Sequence, residues 1–344
     1  EGLADLAEEV ARLHGYDRIP STYPASCQVG QRTPAQAFAV RARRLMRGLG
    51  QTEIVTYSFC APRIYDRLGL AMEGTARREL RILAPLSEEW AVMRPTLLGG
   101  ILETMAVNAR RGLGDVAVFE QARVYLPEDA EELPSEPLHL AGGLMGLVSP
   151  RTWADKPRVC DFYDLKGLLE IFLEGLGTTG VSFAPDTHPS LHPGRCASLR
   201  APGGTVLGHL GEIHPRVAAA FDLRGPIFLY ELDLGALSAW SRTEIRAASP
   251  PRFPAVLRDL AVVVPSDLPL LDLERSLQEM AGDLLASAEL FDVYTGTQVG
   301  AGLKSMAFAL SFRAPDRTLN DAEVNEIMER LVAGLGRKFG AKLR

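Results

Sequence analysis

Three acids near the start of the chain, Asp5, Glu8 and Glu9, stand at i, i+3 and i+4. On a helix that spacing projects all three carboxylates from one face, where they could hold a hard cation. Acids in a first helical turn are equally well explained by the helix dipole alone. A second constellation lies far downstream. Asp292 and Tyr294 are two apart in a strand-like run, so both side chains face one side, with Phe291 and Val293 facing a core on the other. An aromatic ring beside a carboxylate suits an unstacked RNA base: the ring supplies stacking, and the carboxylate suits the N1 and N2 donors of guanine. Ser305, at the start of the following strand in hairpin contact, could add a hydrogen bond. The plainer alternative is a Tyr and an Asp on an exposed strand face with no ligand.

Other reactive side chains form no such sets. Cys27, Cys60, Cys160 and Cys196 lie far apart without the paired spacing of a zinc or redox site, and read as free structural thiols. His188, His209 and His214 are scattered, while His192 and Arg195 bracket a Pro-Gly turn; none gives a base, nucleophile and orienter in sequence. Gly175 to Gly177 reads as a helix stop, because no helix start with Lys or Ser follows it. Arg41, Arg43, Arg44 and Arg47 share one predicted helix and could meet RNA phosphates, a partner's acids or simply solvent.

The elements that position these groups belong to an ordinary folded chain of 344 residues, 47% hydrophobic and 23% charged, long enough for two or three domains. The net charge of −6 carries no basic signature for nucleic acid, so RNA binding has to rest on local features. No run of about 18 apolar residues is present, and the opening residues are acidic and amphipathic, which predicts a cytoplasmic protein. Leu3, Leu6, Val10 and Leu13 recur at helical spacing from the outset with no start signal, as expected for a piece of something longer. Ile19 to Pro24 then predicts an extended linker.

From Pro34 a helix to about Gly48 precedes a strand-like stretch, Glu53 to Cys60. Val116 to Tyr125, Leu138 to Val148, Ala197 to Leu210 and Ile227 to Leu232 read as strands, and Leu97 to Arg110 and Leu165 to Leu176 as helices. Strands adjacent in sequence favour an antiparallel sheet with helices packed on it, in an α+β domain over residues 33–242. The proline-rich segment Ala247 to Pro254 reads as a linker. Beyond it the order is strand Asp259–Val264, helix Leu271–Ala281, strands Leu285–Tyr294 and Ser305–Arg313, helix Asn320–Leu335 and a last strand near Lys342. That βαββαβ order is the ferredoxin-like arrangement, with Asn320 and Glu323 as a capping box. Its 11 Lys and Arg from Arg252 to Arg344 stand against 13 Asp and Glu, a net of −2, which argues against broad phosphate clamping. A small base-reading patch, flanked by Arg258, Lys304 and Arg313, remains compatible with it.

Ten phrases in order resemble one family. They include Asp5-Leu6-Ala7-Glu8-Glu9, Met93-Arg94-Pro95-Thr96, Phe119-Glu120 with Ala122-Arg123-Val124-Tyr125, Asp161-Phe162-Tyr163-Asp164-Leu165-Lys166-Gly167, Gly211-Glu212-Ile213-His214-Pro215 and Leu290-Phe291-Asp292-Val293-Tyr294. The family is the β subunit of bacterial phenylalanyl-tRNA synthetase, whose N-terminal half has no counterpart here. The resemblance implies the end of a central DNA-binding-like domain (1–24), a class II synthetase-like catalytic-like domain (33–242) and a ferredoxin-like anticodon-binding domain (251–344). It implies partners as well: tRNA(Phe) and a catalytic α subunit that uses ATP, in an assembly of two α and two β chains. Magnesium would lie on Asp5, Glu8 and Glu9, completed by an acid preceding Glu1. Asp292, Tyr294 and Ser305 match the residues that contact the first anticodon base, a guanine.

A class II synthetase stabilises the developing phosphate charge with arginines. Here Arg94 and Arg123 look like a faded copy of the first arginine motif, with Leu126 where another basic residue would follow Tyr125. The only Glu-Arg pairs, Glu274-Arg275 and Glu329-Arg330, fall in predicted helices of the last module rather than at the end of a Gly-rich strand. The expectation is a chain without catalysis of its own.

Overall fold

A computed structural model of the chain describes residues 2–23, 30–70, 79–127, 133–149, 152–242 and 249–344. Cys27, Pro24 at the end of the first predicted linker, and Ala247 and Ala248 of the second lie outside the described residues. Two compact units are present, Glu1–Ile245 and Arg246–Arg344.

The first unit opens with α1 (Leu3–His14), whose expected apolar stripe is present but buries none of its residues. Next comes α2 (Pro34–Gly48), started by a capping box in which the Thr33 hydroxyl accepts from the Gln36 amide at 3.2 Å while Gln36 accepts from the Thr33 amide at 2.9 Å. There follow β1 (Thr52–Glu53), β2 (Phe59–Cys60), α3 (Ile64–Arg67), β3 (Val92–Met93), α4 (Leu98–Arg110), β4 (Val116–Arg123) and β5 (Leu138–Met145). The remainder is β6 (Leu147–Ser149), β7 (Arg158–Val159), α5 (Phe162–Gly175), β8 (Ser182–Pro185), β9 (Leu191–Arg200), β10 (Val206–Ile213), α6 (Pro215–Ala220), β11 (Ile227–Asp233) and α7 (Leu234–Ser238).

Seven of these strands form one sheet, in the order β1-β4-β5-β11-β10-β9-β8, antiparallel except for the β1–β4 pair. Side chains alternate across it with period two. Ile227 and Leu229 of β11 enter a core with α3, α4 and α6, whereas Phe228, Tyr230 and Leu232 enter a second core with α2, α5 and α7. The α+β expectation therefore holds, with helices on both faces of a largely antiparallel sheet.

Three strand readings need correction. Leu138 to Val148 is β5 and the start of β6, which lie in separate sheets and part at Gly146, where φ is +82°. Glu53 to Cys60 is strand only at its ends, because the Thr56 amide between them donates to the Glu120 carboxylate at 3.1 Å instead of to a neighbouring strand. Ala197 to Leu210 is two strands, β9 and β10, which reverse at Pro202-Gly203-Gly204; both glycines have φ of +91°, a conformation that a side chain disfavours. His192 to Arg195 is likewise a bulge within β9 rather than a turn between elements, since pairing with β10 jumps from Cys196–Gly211 to Leu191–Ile213.

The second unit contains β12 (Val256–Pro265), α8 (Leu270–Ala281), β13 (Leu285–Tyr294), β14 (Leu303–Phe312), α9 (Asp321–Phe339) and β15 (Lys342–Leu343). Its sheet order, β13-β14-β12-β15, is the split βαβ topology that the residue pattern predicts. The expected capping box at α9 is formed, with the Asn320 side chain accepting from the Glu323 amide at 2.9 Å. Both helices cover one sheet face, where Leu260, Val262, Phe308 and Leu310 meet Leu277 and Leu331.

Candidate nucleic-acid interface

The uncovered face of the second sheet is shaped by β14. Met306, Phe308, Leu310 and Phe312 are buried under the helices, which turns Ser305, Ala307, Ala309 and Ser311 to the open side. Four small side chains in a row leave a shallow trough. Its walls follow from register: Tyr294 pairs with Ser305, Asp292 with Ala307 and Glu289 with Ala309, while β12 contributes Val263, Ala261 and Asp259 opposite the same three. The structure thus brings Asp292, Tyr294 and Ser305 together as predicted.

Alternation gives Asp292 and Tyr294 a common side, and a bulge just before them decides which face that side is. Leu290 pairs with Phe308 and Asp292 with the very next residue, Ala307, so Phe291 is the extra residue of a β-bulge. Bulges re-aim the side chains that follow them. Without this one, Asp292 would share the helix-covered side with Leu290. Phe291 consequently does not enter the core and is 60% exposed; Val293 pairs with the core residue Met306 yet remains 48% exposed at the strand end.

Tyr294 is half-buried, with Gly296 packed against its hydroxyl end: a methyl group at Gly296 would lie 2.0 Å from Oη and 2.2 Å from Cζ. Gly296 has an ordinary φ of −85°, so glycine is required there for space and not for conformation. The Arg344 guanidinium sits over the ring, 5.1 Å from its centroid, and its Nη1 donates to Ser305 Oγ at 3.4 Å. That cover explains why Ser305 is only 2% exposed on an otherwise open face.

The expected flanking cations are elsewhere. Arg258 donates to Asp321 at 2.5 Å on the helix side, Lys304 donates to the Leu268 carbonyl at 2.6 Å, and Arg313 lies beside Leu284 at the far end of β13. Lys342, in register with Val263, and Arg344 take that place. The i, i+2 spacing of Lys342 in β15 and Arg344 just beyond it is the sequence signal for this pair.

In the first unit the two arginines expected to echo a phosphate site have structural duties. Arg94 is 6% exposed; its Nη1 donates to Glu120 at 2.9 Å and to Thr56 Oγ at 3.0 Å, and its Nε to the Arg123 carbonyl at 3.0 Å. Arg123 itself donates to the Glu136 carbonyl. Of the arginines on α2, Arg41 donates to the Gly175 carbonyl at 2.6 Å and Arg43 pairs with Glu53 at 2.7 Å, leaving Arg44 and Arg47 exposed.

Beside α4 a cavity of about 330 Å³ contains Glu231, His139, His188 and His209. Glu231 accepts from the Thr96 hydroxyl, from the Leu97 amide at 3.1 Å and from His139 Nδ1 at 2.8 Å, and so fixes the start of α4 to β11. Burial opposes charge on both His139 and Glu231, but their hydrogen bond and mutual attraction outweigh it, holding the imidazole above its ordinary value and the carboxyl below its own. The sign follows for each group. The His139 contribution is complete below about 6.5 and is lost as pH rises through its raised value; the Glu231 contribution is complete above about 4.5 and is lost as pH falls through its lowered value. The stability difference between the chain and its His139→Asn variant should therefore be largest between about pH 4.5 and 6.5 and shrink as pH rises through the raised His139 value. Urea midpoints across that range measure it, and a pH-independent difference would exclude the ion pair.

The acids of α1 do not converge. Asp5 accepts from the Gly2 amide at 2.6 Å as a cap, Glu9 pairs with Arg12 at 2.6 Å, and all three carboxylates point into solvent. Among the described residues no group of three His, Cys, Asp or Glu is arranged to hold a metal ion. Asp5, Glu8 and Glu9 as they stand do not fit a magnesium site, and no chemistry is assigned to one. Among the described residues, too, no helix is long and apolar enough to cross a membrane.

Comparison with known sequences bears on both units. Residues 19–234 match the phenylalanyl tRNA synthetase beta chain CLM domain, and residues 251–344 match the ferredoxin-fold anticodon binding domain. The chain is 44% identical to the phenylalanine–tRNA ligase beta subunit of Moorella thermoacetica, over 100% of this chain and 43% of that protein. It is 40% identical to the Symbiobacterium thermophilum subunit and 39% identical to that of Geobacter sulfurreducens, over 99% of this chain and 38% and 43% of those proteins. The chain thus spans about two fifths of the length of these curated relatives.

Proposed function

Because the chain belongs to the phenylalanyl-tRNA synthetase beta chain family, we propose that it supports ATP-dependent attachment of phenylalanine to tRNA(Phe) without performing the chemistry. In this reading residues 251–344 recognise the anticodon, residues 33–242 dock a catalytic α subunit that binds ATP, and residues 1–24 close a preceding domain. The assembly is two α and two β chains in the cytosol. The observation that carries the reading is the trough on the open sheet face, where a stacking ring, a carboxylate and a hydroxyl from Tyr294, Asp292 and Ser305 meet over a floor of alanines. A planar base fits such a floor, and neutral base contacts suit an acidic face better than phosphate contacts do.

Two features support the absence of chemistry and the presence of a partner. Arg94, buried and committed to Glu120 and Thr56, is unavailable to a nucleotide phosphate. Val55 and Tyr57 are 90% and 71% exposed, and with Phe59 and Trp90 they line a groove of about 340 Å³. Contiguous exposed apolar surface of this kind marks a protein interface.

Stacking on an aromatic side chain is worth about 1–3 kcal/mol per base, so Tyr294→Ala should weaken binding of tRNA(Phe) by about tenfold or more. Anisotropy or gel-shift titration of the chain with tRNA(Phe) measures it. Unchanged affinity would sink the anticodon assignment.

A further inference from the structure

In the free chain the surface of Tyr294 is occupied by a cation. The Arg344 guanidinium lies 5.1 Å from the ring centroid and hydrogen-bonds Ser305, whereas the acids of the same sheet face, Asp259, Glu289 and Asp292, show no ion pair with it. We propose that Arg344 is the second wall of a base clamp: a single-stranded base enters between the Tyr294 ring and the Arg344 guanidinium and stacks on both. This rests on the reading of Tyr294 as an RNA platform.

The geometry favours insertion over eviction. A base between two planes needs roughly 6.8 Å, two stacking steps of about 3.4 Å each, against the 5.1 Å that separates the guanidinium carbon from the ring centroid, so the guanidinium has to retreat but not to leave. The backbone holds its place meanwhile, because the Arg344 amide donates to the Ala261 carbonyl at 3.0 Å and Lys342 and Leu343 pair with β12. The flexible side chain supplies the movement. A guanidinium plane stacks on bases as an aromatic ring does, and it adds charge above a trough whose own groups are acidic. Retreat of Arg344 also uncovers Ser305 Oγ, so the hydroxyl becomes available to the base edge only as the base arrives.

The test uses the whole 344-residue chain and a hairpin RNA carrying the tRNA(Phe) anticodon loop, titrated by fluorescence anisotropy at several salt concentrations. Arg344→Ala should weaken binding about fivefold or more while leaving the slope of log affinity against log salt unchanged, and Arg344→Lys should resemble it, because charge without a plane does not stack. Wild-type affinity in Arg344→Lys, together with a slope reduced by about one in Arg344→Ala, would make Arg344 a phosphate contact and overturn the clamp. Tyr294→Ala separates the two levels. If it weakens binding and Arg344→Ala does not, the clamp alone fails; if neither has an effect, the platform fails with it. In Tyr294→Ala/Arg344→Ala the loss should fall short of the product of the two single losses, since both walls hold the same base.

Discussion

Replacing Arg94 with Met should destabilise the Glu1–Ile245 unit by about 3–5 kcal/mol, the usual cost of leaving one member of a buried ion pair alone. Glu120, 2% exposed, would keep the Thr56 amide and hydroxyl but lose its counter-charge, and the Arg123 carbonyl would lose its donor. The tryptophans supply a selective probe. Trp90, Trp153 and Trp240 all precede residue 245, so fluorescence-monitored urea unfolding reports the first unit and not the second. Replacing both charges, in Arg94→Met/Glu120→Leu, should recover part of the loss, because the isolated buried charge and not the missing attraction dominates the cost. A loss below about 1 kcal/mol for Arg94→Met would show that water reaches Glu120 and that the pair is not buried in solution.

The second large effect concerns association. On the docking reading, Tyr57→Asp should weaken binding to the catalytic α chain by about thirtyfold or more, since aromatic anchors in an interface contribute about 2 kcal/mol or more each. Tyr57 is 71% exposed and packs edge-on against Trp90, with ring centroids 4.8 Å apart. The folded stability of the chain itself should change by no more than about 1.5 kcal/mol, the worth of that aromatic pair. Co-purification followed by a titration between the two chains measures the effect. Undiminished association would move the α-binding surface elsewhere on the unit.

Element types were legible wherever a local rule acted alone. Helix α2 begins at Pro34 and ends at Gly48 as its proline and glycine signal, and Asn320 caps α9 through its own side chain. What failed involved partners remote in sequence. The interruption between β1 and β2 is caused by Glu120, some 64 residues from Thr56, and no pattern within Glu53 to Cys60 encodes it. The break between β9 and β10 is the exception, a local one at Gly203-Gly204. At the candidate site the i, i+2 spacing places Asp292 and Tyr294 on one side, as expected, but it does not say which face that side is. A bulge at Phe291 turns the pair to the open face, whereas alternation counted from Leu290 would turn both inward. The role of Arg344 depends on β15 lying beside β12, a pairing of distant segments that residue spacing alone does not contain. The three acids of α1 had the spacing for a cation, but spacing does not stop Asp5 and Glu9 from satisfying nearer donors.

The sheet order of the first unit also sets a problem for the growing chain. β5 pairs with β4 immediately upstream, but its other edge waits for β11, about 80 residues later. At the usual 5–20 residues per second that interval is on the order of 4–16 seconds, during which Leu138 to Met145 presents an open hydrogen-bonding edge. The edge carries no proline, lysine or arginine to blunt it. Until Ile227–Asp233 leaves the ribosome, the nascent chain is exposed to edge-to-edge pairing with its neighbours on the same message, and chaperone demand should peak within that window.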